Sequence, residues 1–419
     1  MARHSRLGAI AALGVAVCTL LAGCGGSSGG GGSSVGGSDA PIIIGSLHPL
    51  SGAYAADGQQ IDNGAKIAVD EINAAGGIKS LAGRKLQLSS GDTKGSPETG
   101  QSEAQRLIQS GAVGLIGAYQ SSVSATVAAV AERNTVPFII DISNDVKLLN
   151  QGYKYSFRIQ PNSDQFANDG ATYLKEISDA AGKPVTKVAL LHEQTAFGTA
   201  VAQAFVPKAA SLGITVDPVI SYDAANVSDL TTQVARAKAA GAQVIAAAGY
   251  YRDGVLLAQA INSVKPDLLA VYGVADGAFD IPTFSKDAAP QGEGYIDVSY
   301  HIDSTKPYAH AFTKAYQDRF NDVPRTGAGY GYDSVKVIAA GLEKAASDDP
   351  TKLRDAIAGA SVDAVTASAG PIEFLPNGEN KNAQPVVMQV QGGKPLQVYP
   401  KSLAEKPIIF PVPPTGTTP

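Results

Sequence analysis

Cysteine is almost absent from this sequence of 419 residues: Cys18 and Cys24 are the only two, and both lie within the first 24 positions. A disulfide framework and a zinc site with cysteine ligands are therefore excluded from the rest of the chain. The five histidines are scattered, without the clustered spacing of metal ligands. We expect neither a bound metal nor a cofactor.

Basic residues are not in excess. The sequence has 33 Lys and Arg against 38 Asp and Glu, which gives a formal net charge of −5 and an isoelectric point near 5.6. A nucleic-acid-binding domain normally carries a basic balance or a basic stripe. We therefore expect no nucleic-acid partner.

Catalytic signatures are missing as well. The sequence has no G-x-S-x-G, no H-E-x-x-H and no G-x-x-x-x-G-K-[ST] motif. G-x-G-x-G occurs at 327–331, but it follows Pro-Arg-Thr instead of an apolar strand, which does not favour a nucleotide site. We expect a protein that is not an enzyme. A hydrolase in which Ser121 works with His48 or His192 is the catalytic alternative, and no motif supports it.

The first residues are typical of an export signal. Two arginines precede an apolar run over 7–22, which is 16 residues long and shorter than the roughly 20 residues of a membrane-spanning helix. The run ends in Leu-Ala-Gly-Cys at 21–24, which resembles the lipobox of bacterial lipoproteins. The resemblance implies cleavage before Cys24, lipid attachment to its sulfur and anchoring at the outer face of the cytoplasmic membrane. A retained anchor helix is the alternative.

Composition also indicates a flexible tether after the export signal and a tail at the end of the chain. Residues 25–38 are Gly or Ser at all but one position, as in a flexible linker. The end of the chain is rich in Pro and Thr, and we expect fraying over 406–419. We assign 1–23 to a signal peptide, 24–40 to the lipidated cysteine and tether, and 401–419 to a tail.

Between these segments, short apolar runs alternate with Ala-rich amphipathic stretches. The run 42–45 is followed by apolar residues at helical spacing over 59–75, which Gly76-Gly77 ends. Similar runs predict strands near 85–89, 113–117, 137–141, 187–191, 216–221, 243–248 and 268–272. Strands that alternate with helices predict an α/β fold with doubly wound parallel sheets covered on both faces.

The alternation forms two series that divide near 157–162, which predicts two lobes with a ligand cleft between them. A helix pair near 308–321 and 330–346 follows the second series. We expect β-like segments at 370–375 and 386–391 after this pair.

The segment 43–78 resembles the start of the branched-chain amino-acid-type substrate-binding proteins of ABC transporters, the leucine/isoleucine/valine-binding class. The matching motifs are Pro-Leu-Ser-Gly at 49–52, Gly58, and Glu-Ile-Asn-Ala-Ala-Gly-Gly-Ile at 71–78. Further matches run in order to about residue 395 and include Phe157-Arg158.

This resemblance implies a type I periplasmic-binding-protein fold, with two Rossmann-like lobes joined by three crossovers. The N-terminal lobe would comprise 41–160 with about 301–362, and the C-terminal lobe 161–300 with about 363–400. The implied function is capture of a small polar ligand, such as an amino acid or a related acid or amide, and its delivery to an ABC importer permease. We expect a monomer whose partners are the ligand, the permease subunits and the membrane, through the lipid anchor.

On the first lobe, strand ends point to ligand-binding residues. Ser121 or Ser122 follows the strand 113–117 and would sit at a helix N-cap, where free backbone N–H groups favour an anion. In the family, the serine that matches Ser121 holds the α-carboxylate of the ligand, and Asn144 falls where a threonine often lies. A plain helix cap is the alternative role of the serine.

On the second lobe, the family places a tyrosine at Tyr250 and a carboxylate near Asp276 to receive the ligand's ammonium, and Phe197 matches an aromatic residue that flanks the ligand. The alternatives are a turn aspartate for Asp276 and an ordinary core residue for Phe197. Two further candidates lie on the first lobe: Asp57, where the amino-acid binders carry tyrosine, and Tyr54.

These departures leave the ligand open, because other members of the class bind amides, urea or aromatic acids. The early disulfide of the family is missing too, since Gly95 and Gln120 occupy its two positions. A ligand sensor on the same fold, signalling to a membrane partner, is the alternative function. The export signal and the tether favour the importer component.

Overall fold

The computed structural model describes residues 40–288 and 291–412, so the predicted signal peptide, Cys24, the tether and residues 413–419 lie outside the described part. Two sheets organise the described chain. The strands are β1 Ile42–His48, β2 Leu86–Asp92, β3 Ala112–Gly117, β4 Phe138–Ile140, β5 Ser156–Arg158, β6 Lys187–Glu193, β7 Thr215–Tyr222, β8 Val244–Ala248, β9 Ala270–Val274, β10 Ile296–Ser299, β11 Val386–Gln391 and β12 Lys394–Tyr399.

Helices follow most strands, in the order that the alternating pattern predicts. They are α1 Ala55–Ala74, α2 Pro97–Gln109, α3 Ser121–Arg133, α4 Ser163–Ala180, α5 Ala196–Ser211, α6 Thr231–Ala239, α7 Tyr251–Val264, α8 Phe284–Asp287, α9 Pro307–Phe320, α10 Thr326–Ala345 and α11 Pro350–Ala358. Within the described ranges, no helix combines the length and the apolar character that crossing a membrane requires.

The first sheet has the order β2-β1-β3-β4-β5, and all of its strands are parallel. Its two faces belong to two separate apolar clusters. Ile42 and Ile44 of β1 pack with α1, α9 and α10, whereas Leu115 of β3 packs with α2 and α3. Apart from the edge strand β2, the strands are mostly buried, and β1, β3 and β4 read in the sequence as largely apolar runs.

The second sheet has the order β12-β11-β10-β9-β8-β6-β7. Strands β6 to β10 are parallel, but β11 pairs antiparallel with both β10 and β12. The predicted parallel arrangement therefore holds for β6 to β10, and the addition of β11 and β12 makes this sheet mixed. Gly392 and Gly393, both at positive φ, form the tight connection that makes β11 and β12 a hairpin.

The chain passes between the two sheets three times. It leaves the first sheet after β5, returns after β10 to add α9, α10 and α11, and passes to the second sheet again before β11. The residue boundaries of the two lobes, at about 160, 300 and 362, stay a prediction.

Helices α1 and α10 pack closely because glycines line their contact. A Cβ atom on Gly64 would lie 1.8 Å from the carbonyl oxygen of Ala328, and one on Gly331 would lie 2.1 Å from that of Ile61. Residues 327–331, which read G-x-G-x-G, are thus part of a helix–helix contact, where larger side chains would push the two backbones apart.

Three local predictions were wrong. Helix α4 was not predicted at all, and residues 370–375 form only isolated bridges between Val362 and Ile372 and between Phe374 and Asn380. Residues 406–412 dock on the body, where the Val412 N–H donates to the Leu269 carbonyl at 2.8 Å. Ile408 and Phe410 pack against the apolar core of the second sheet, which explains why this proline-rich stretch is held.

Candidate functional site

A cleft lies where the carboxyl ends of strands from both sheets meet, as expected for open α/β sheets. It has two connected chambers that share Tyr119, Ile142, Gly277 and Tyr300 as walls. We name the smaller one, of about 310 Å³, the hydroxyl chamber; its other lining residues are Ser121, Ser143, Asn144, Phe197, Gly249, Tyr250 and Ala275. We name the larger one, of about 410 Å³, the acidic chamber; its other lining residues are Asp57, Gln60, Ile61, Asp276, Asp280, Ile281, Arg325, Thr326 and Gly327.

The hydroxyl chamber is built on the start of α3. Gln120 occupies the N-cap position without a side-chain capping bond, so Ser121 is the first helical residue. The Ser121 hydroxyl is 2% exposed and accepts a hydrogen bond from the Asp145 N–H at 3.3 Å. The first N–H groups of a helix have no partner within it, and with the helix dipole they favour an anion.

Asn144 adds an unpaired polar group to the same chamber. Its side chain is 4% exposed, and its Oδ1 atom makes no hydrogen bond in the structure. A buried amide without a partner is unfavourable by itself, which points to a ligand or water as its partner.

Arg158 holds the loop that carries Asn144. This arginine is fully buried, and its guanidinium donates to the backbone carbonyls of Asn144 and Asp145, the latter at 2.8 Å. Its Nε atom lies 3.5 Å from a carboxylate oxygen of Glu379. Burial lowers the pKa of Arg158, and the negative charge of Glu379 opposes this effect. The loop is therefore fixed by a buried charge that connects β4, β5 and the segment before β11.

Four aromatic rings close the cleft from both sides. The Tyr250 ring centroid lies 5.0 Å from that of Tyr54, 5.7 Å from that of Tyr119 and 5.4 Å from that of Phe197. Tyr250 is the N-cap of α7, and its N–H donates to Asp253 at 3.0 Å. Because Tyr54 and Tyr119 belong to the first sheet's side and the other two rings to the second, this cluster joins the sides and offers apolar surface to a ligand.

The acidic chamber contains three carboxylates and one guanidinium. Asp57 accepts a hydrogen bond from Arg325 Nη1 at 2.5 Å and another from the Tyr119 hydroxyl at 3.2 Å. Asp276 accepts from the Ala278 N–H at 3.1 Å. Asp57 and Arg325 therefore neutralise each other, whereas Asp276 is bound only by a backbone donor.

The remaining carboxylate of this chamber, Asp280, has two hydroxyl donors and its own backbone N–H, but no charged partner. Its Oδ2 atom accepts from Ser299 at 3.2 Å and from Thr326 at 3.4 Å. Burial raises the pKa of Asp280 to about 7. Burial also raises the pKa of Asp276 well above the usual range, and the charge of Asp253 raises it further. Uncompensated charge in a desolvated site favours the protonated acids until a cation arrives.

The arrangement offers donors at one end and carboxylates at the other, with aromatic walls between them. This is the chemistry needed to hold a small molecule that has an anionic or carbonyl end and a cationic end.

Residues 41–394 match the model of the family described as periplasmic binding protein. The chain belongs to the periplasmic binding protein family. Among curated relatives, the Leu/Ile/Val-binding protein homolog 8 of Brucella abortus (strain 2308) is 30% identical over 375 residues, which cover 87% of this chain and 92% of that protein.

Solved structures of this class share the fold. The branched-chain amino acid transporter substrate-binding protein LivJ of Streptococcus pneumoniae, in complex with isoleucine, superposes with a TM-score of 0.73 at 22% identity, over 89% of this chain and 100% of that one. A solute-binding protein of R. palustris in complex with benzoate gives a TM-score of 0.73 at 19% identity, over 90% and 99%. The predicted family and type I fold are confirmed.

The structure brings together most of the residues that the sequence singled out. Six of them line the cleft: Ser121, Asn144, Phe197, Tyr250, Asp276 and Asp57. Ser122 lines neither chamber, and Tyr54 contributes only through its ring contacts. The N-cap predicted at Ser121 or Ser122 belongs to Gln120 instead.

Several lining residues were missed, each for an identifiable reason. Tyr119 follows β3 directly and could have been found by inspecting strand ends. Tyr300 follows β10, a strand that was not predicted. Arg325 is the N-cap of α10, and only the return of the chain to the first sheet places it beside Asp57. Asp280 lies four residues beyond Asp276, with no local pattern to mark it.

The histidines of the hydrolase alternative have other partners. His48 is fully buried and lies 2.7 Å from Asp141 and 3.0 Å from the Ser46 hydroxyl. His192 Nδ1 lies 2.8 Å from the carbonyl oxygen of Glu193. Since Ser121 accepts from the Asp145 backbone, this geometry does not support a serine nucleophile activated by either histidine.

The two positions of the missing disulfide remain neighbours. A Cβ atom on Gly95 would lie 2.7 Å from Gln120 Nε2. Gln120 is buried, and neither polar atom of its side chain has a hydrogen-bond partner. Gln120 thus places a buried polar amide beside Gly95, at the two positions where the resemblance implies a disulfide.

Proposed function

We propose that this protein captures a small zwitterionic or related polar molecule outside the cytoplasm by closing its two lobes, and delivers it to an ABC importer. The observation that supports this most is the cleft itself, with the start of α3 and Asn144 on one side and Asp276 on the other. Family membership supports the same function, since substrate-binding proteins of this kind bind small molecules and transporter permeases.

In this proposal the first lobe receives the acidic or carbonyl end of the ligand. The α3 N–H groups, the Ser121 hydroxyl and the Asn144 amide surround one end of the hydroxyl chamber. The Asn144 Nδ2 group can donate to that end, while its unpaired Oδ1 atom accepts from an N–H group of the ligand or from water. Charge-assisted hydrogen bonds of this kind are about twice as strong as neutral ones.

The second lobe receives the cationic end. Asp276 is 2% exposed and has no cation beside it in the described structure. An ammonium group buried by closure needs such a countercharge, because its desolvation is otherwise unfavourable by several kcal/mol. Phe197 and Tyr250 would flank the ligand between the two ends.

Membrane attachment through a lipid on Cys24 is part of the proposal. The lipobox and the Gly/Ser tether support it. A doubly acylated cysteine would hold the protein durably at the membrane surface, and the tether would leave the lobes free to close. We propose a monomer without catalytic activity.

Two measurements on the purified mature chain test this function. A thermal-shift screen of amino acids, amides and small organic acids should find a ligand, since a compound at 100 times its Kd adds about 2.7 kcal/mol to stability. X-ray scattering should then show a smaller radius of gyration with that ligand than without it. An unchanged radius at saturating ligand would contradict lobe closure, and the absence of any stabilising compound would contradict the binding function.

A further inference from the structure

The acidic chamber surrounds the part of the ligand that lies beyond its acidic end and its first ammonium group. Its residues therefore bear on which side chain the ligand can have. If Ser121 and Asn144 hold one end of the ligand and Asp276 holds its ammonium, the rest of the molecule must extend past the shared walls into this chamber. A leucine-type side chain would require apolar walls there. The chamber has apolar walls at Ile61, Ile142 and Ile281, but it also presents the charged groups of Asp57, Asp280 and Arg325.

The charges of this chamber do not balance. Arg325 is the only basic residue among its lining residues, and Asp57 takes its charge in an ion pair of 2.5 Å. The Arg325 guanidinium also lies over the Tyr251 ring, 5.2 Å from its centroid. Asp280 is 5% exposed and is bound by two hydroxyl groups, neither of which carries charge. When the ammonium group of the ligand pairs with Asp276, the carboxylate of Asp280 therefore still has no cationic partner.

The neighbouring polar side chains cannot supply this cation. The Gln60 amide donates to Asp322 at 2.8 Å and accepts from the Arg325 N–H at 2.9 Å, so it is already engaged. Asp297 lies behind the chamber, where its Oδ1 atom accepts from the Asp276 N–H at 3.2 Å; burial raises its pKa well above the usual range, and it supplies no cation either. An aliphatic side chain placed against Asp280 would keep its carboxyl group protonated, whereas a cationic group would stabilise the ionised form and pair with it.

We propose that the ligand carries a second cationic group, distinct from the one at Asp276, and that Asp280 binds this group in the acidic chamber. The substrate class is then a diamino acid or a similar polar dication, and not a branched-chain amino acid. The inference rests on the proposed function, because it takes Ser121, Asn144 and Asp276 as the anchors of the ligand. Asp280 is the specificity-determining residue.

A pair of ligands of nearly equal shape tests the proposal on the unaltered protein. L-Ornithine ends in an ammonium where L-norleucine ends in a methyl group. Calorimetric titration should show ornithine, its longer homologue lysine or the guanidinium-bearing arginine binding at least tenfold more tightly than norleucine and leucine. Norleucine or leucine binding as tightly as ornithine, or preferential binding of glutamate, would overturn the proposal while leaving the solute-binding function intact. Failure of every compound to bind would contradict both.

A substitution then assigns the effect to one residue. Asp280→Asn should weaken ornithine binding by ten- to a hundredfold and leave norleucine binding unchanged or stronger. The matched control is Asp267→Asn, at an exposed aspartate before the opposite end of β9, which should change neither value. An equal loss for both ligands in Asp280→Asn, with its melting temperature preserved, would refute the role of Asp280. If this variant does not fold, the ligand series on the unaltered protein decides the question.

Discussion

Replacing Arg158 with methionine tests how the cleft is held in place. Methionine keeps much of the aliphatic stem but removes the guanidinium. The carbonyls of Asn144 and Asp145 then lose their donors, and Glu379, which is 7% exposed, keeps its charge without the arginine. Removal of one partner from a buried ion pair typically destabilises a protein by about 3–5 kcal/mol.

We therefore expect Arg158→Met to lower the free energy of unfolding by about 3–5 kcal/mol in urea denaturation. Ligand affinity should fall as well, because the loop that carries Asn144 is released. In the double variant Arg158→Met/Glu379→Gln, part of the lost stability should return, since the unpaired buried charge is gone.

The matched control is Arg106→Met, which removes a guanidinium whose side chain is 49% exposed and pairs with Glu103 at 2.6 Å. Surface pairs of this kind contribute about 0–1 kcal/mol. A loss of stability in Arg158→Met no larger than in this control would refute the reasoning. Failure of Glu379→Gln to recover any stability would show that the lost carbonyl bonds, and not the uncompensated carboxylate, dominate the effect.

Three other predictions follow from the same structure. Ser121→Ala should weaken ligand binding by about ten- to a hundredfold, whereas Ser122→Ala should leave the Kd unchanged in the same titration; equal effects would contradict the assigned site. The pKa of Asp280 is raised to about 7 from about 3.9 in an unfolded chain, so the folded state holds an extra proton between these values. The free energy of unfolding of the ligand-free protein should therefore fall as pH rises from 5 to 8, by on the order of a few kcal/mol, and Asp280→Asn should flatten this dependence in urea titrations. Cys24→Ala should move the protein from the membrane fraction to the soluble fraction, and unchanged membrane association would contradict lipid anchoring.

The order of strands and helices was readable from the sequence because most of the strands are buried. Runs such as 113–117 are continuous and apolar, and each ends at a small or polar residue. Helix α4 was missed because Asn-Asp-Gly at 168–170 has the composition of a turn. In the structure, a Cβ atom on Gly170 would lie 3.5 Å from Val274 and Val298, so packing against the second sheet determines the helix there.

Only part of the candidate site could be predicted from the sequence, because some of its residues meet through packing between distant segments. Ser121, Asn144 and Tyr250 follow strands, and parallel strands end on the same edge of a sheet, so their proximity could be predicted. Arg325 and Asp57 are separated by 268 positions and meet only because α10 packs on α1. No local pattern carries that information. The charge balance of the acidic chamber could therefore be seen only in the structure.

The contact between α1 and α10 also has a consequence for the order in which the chain can fold. The first sheet is complete in sequence by Arg158, yet one of its faces is covered only by α1 until α9 and α10, which ends at Ala345, have been synthesised. Synthesis proceeds from the N-terminus, and contacts between distant segments slow folding, because closing a long loop is entropically unfavourable. The emerging chain would thus remain incompletely folded for most of its synthesis. In the proposed export of this chain, the delay would keep it competent for translocation and would postpone assembly of the cleft until it has crossed the membrane.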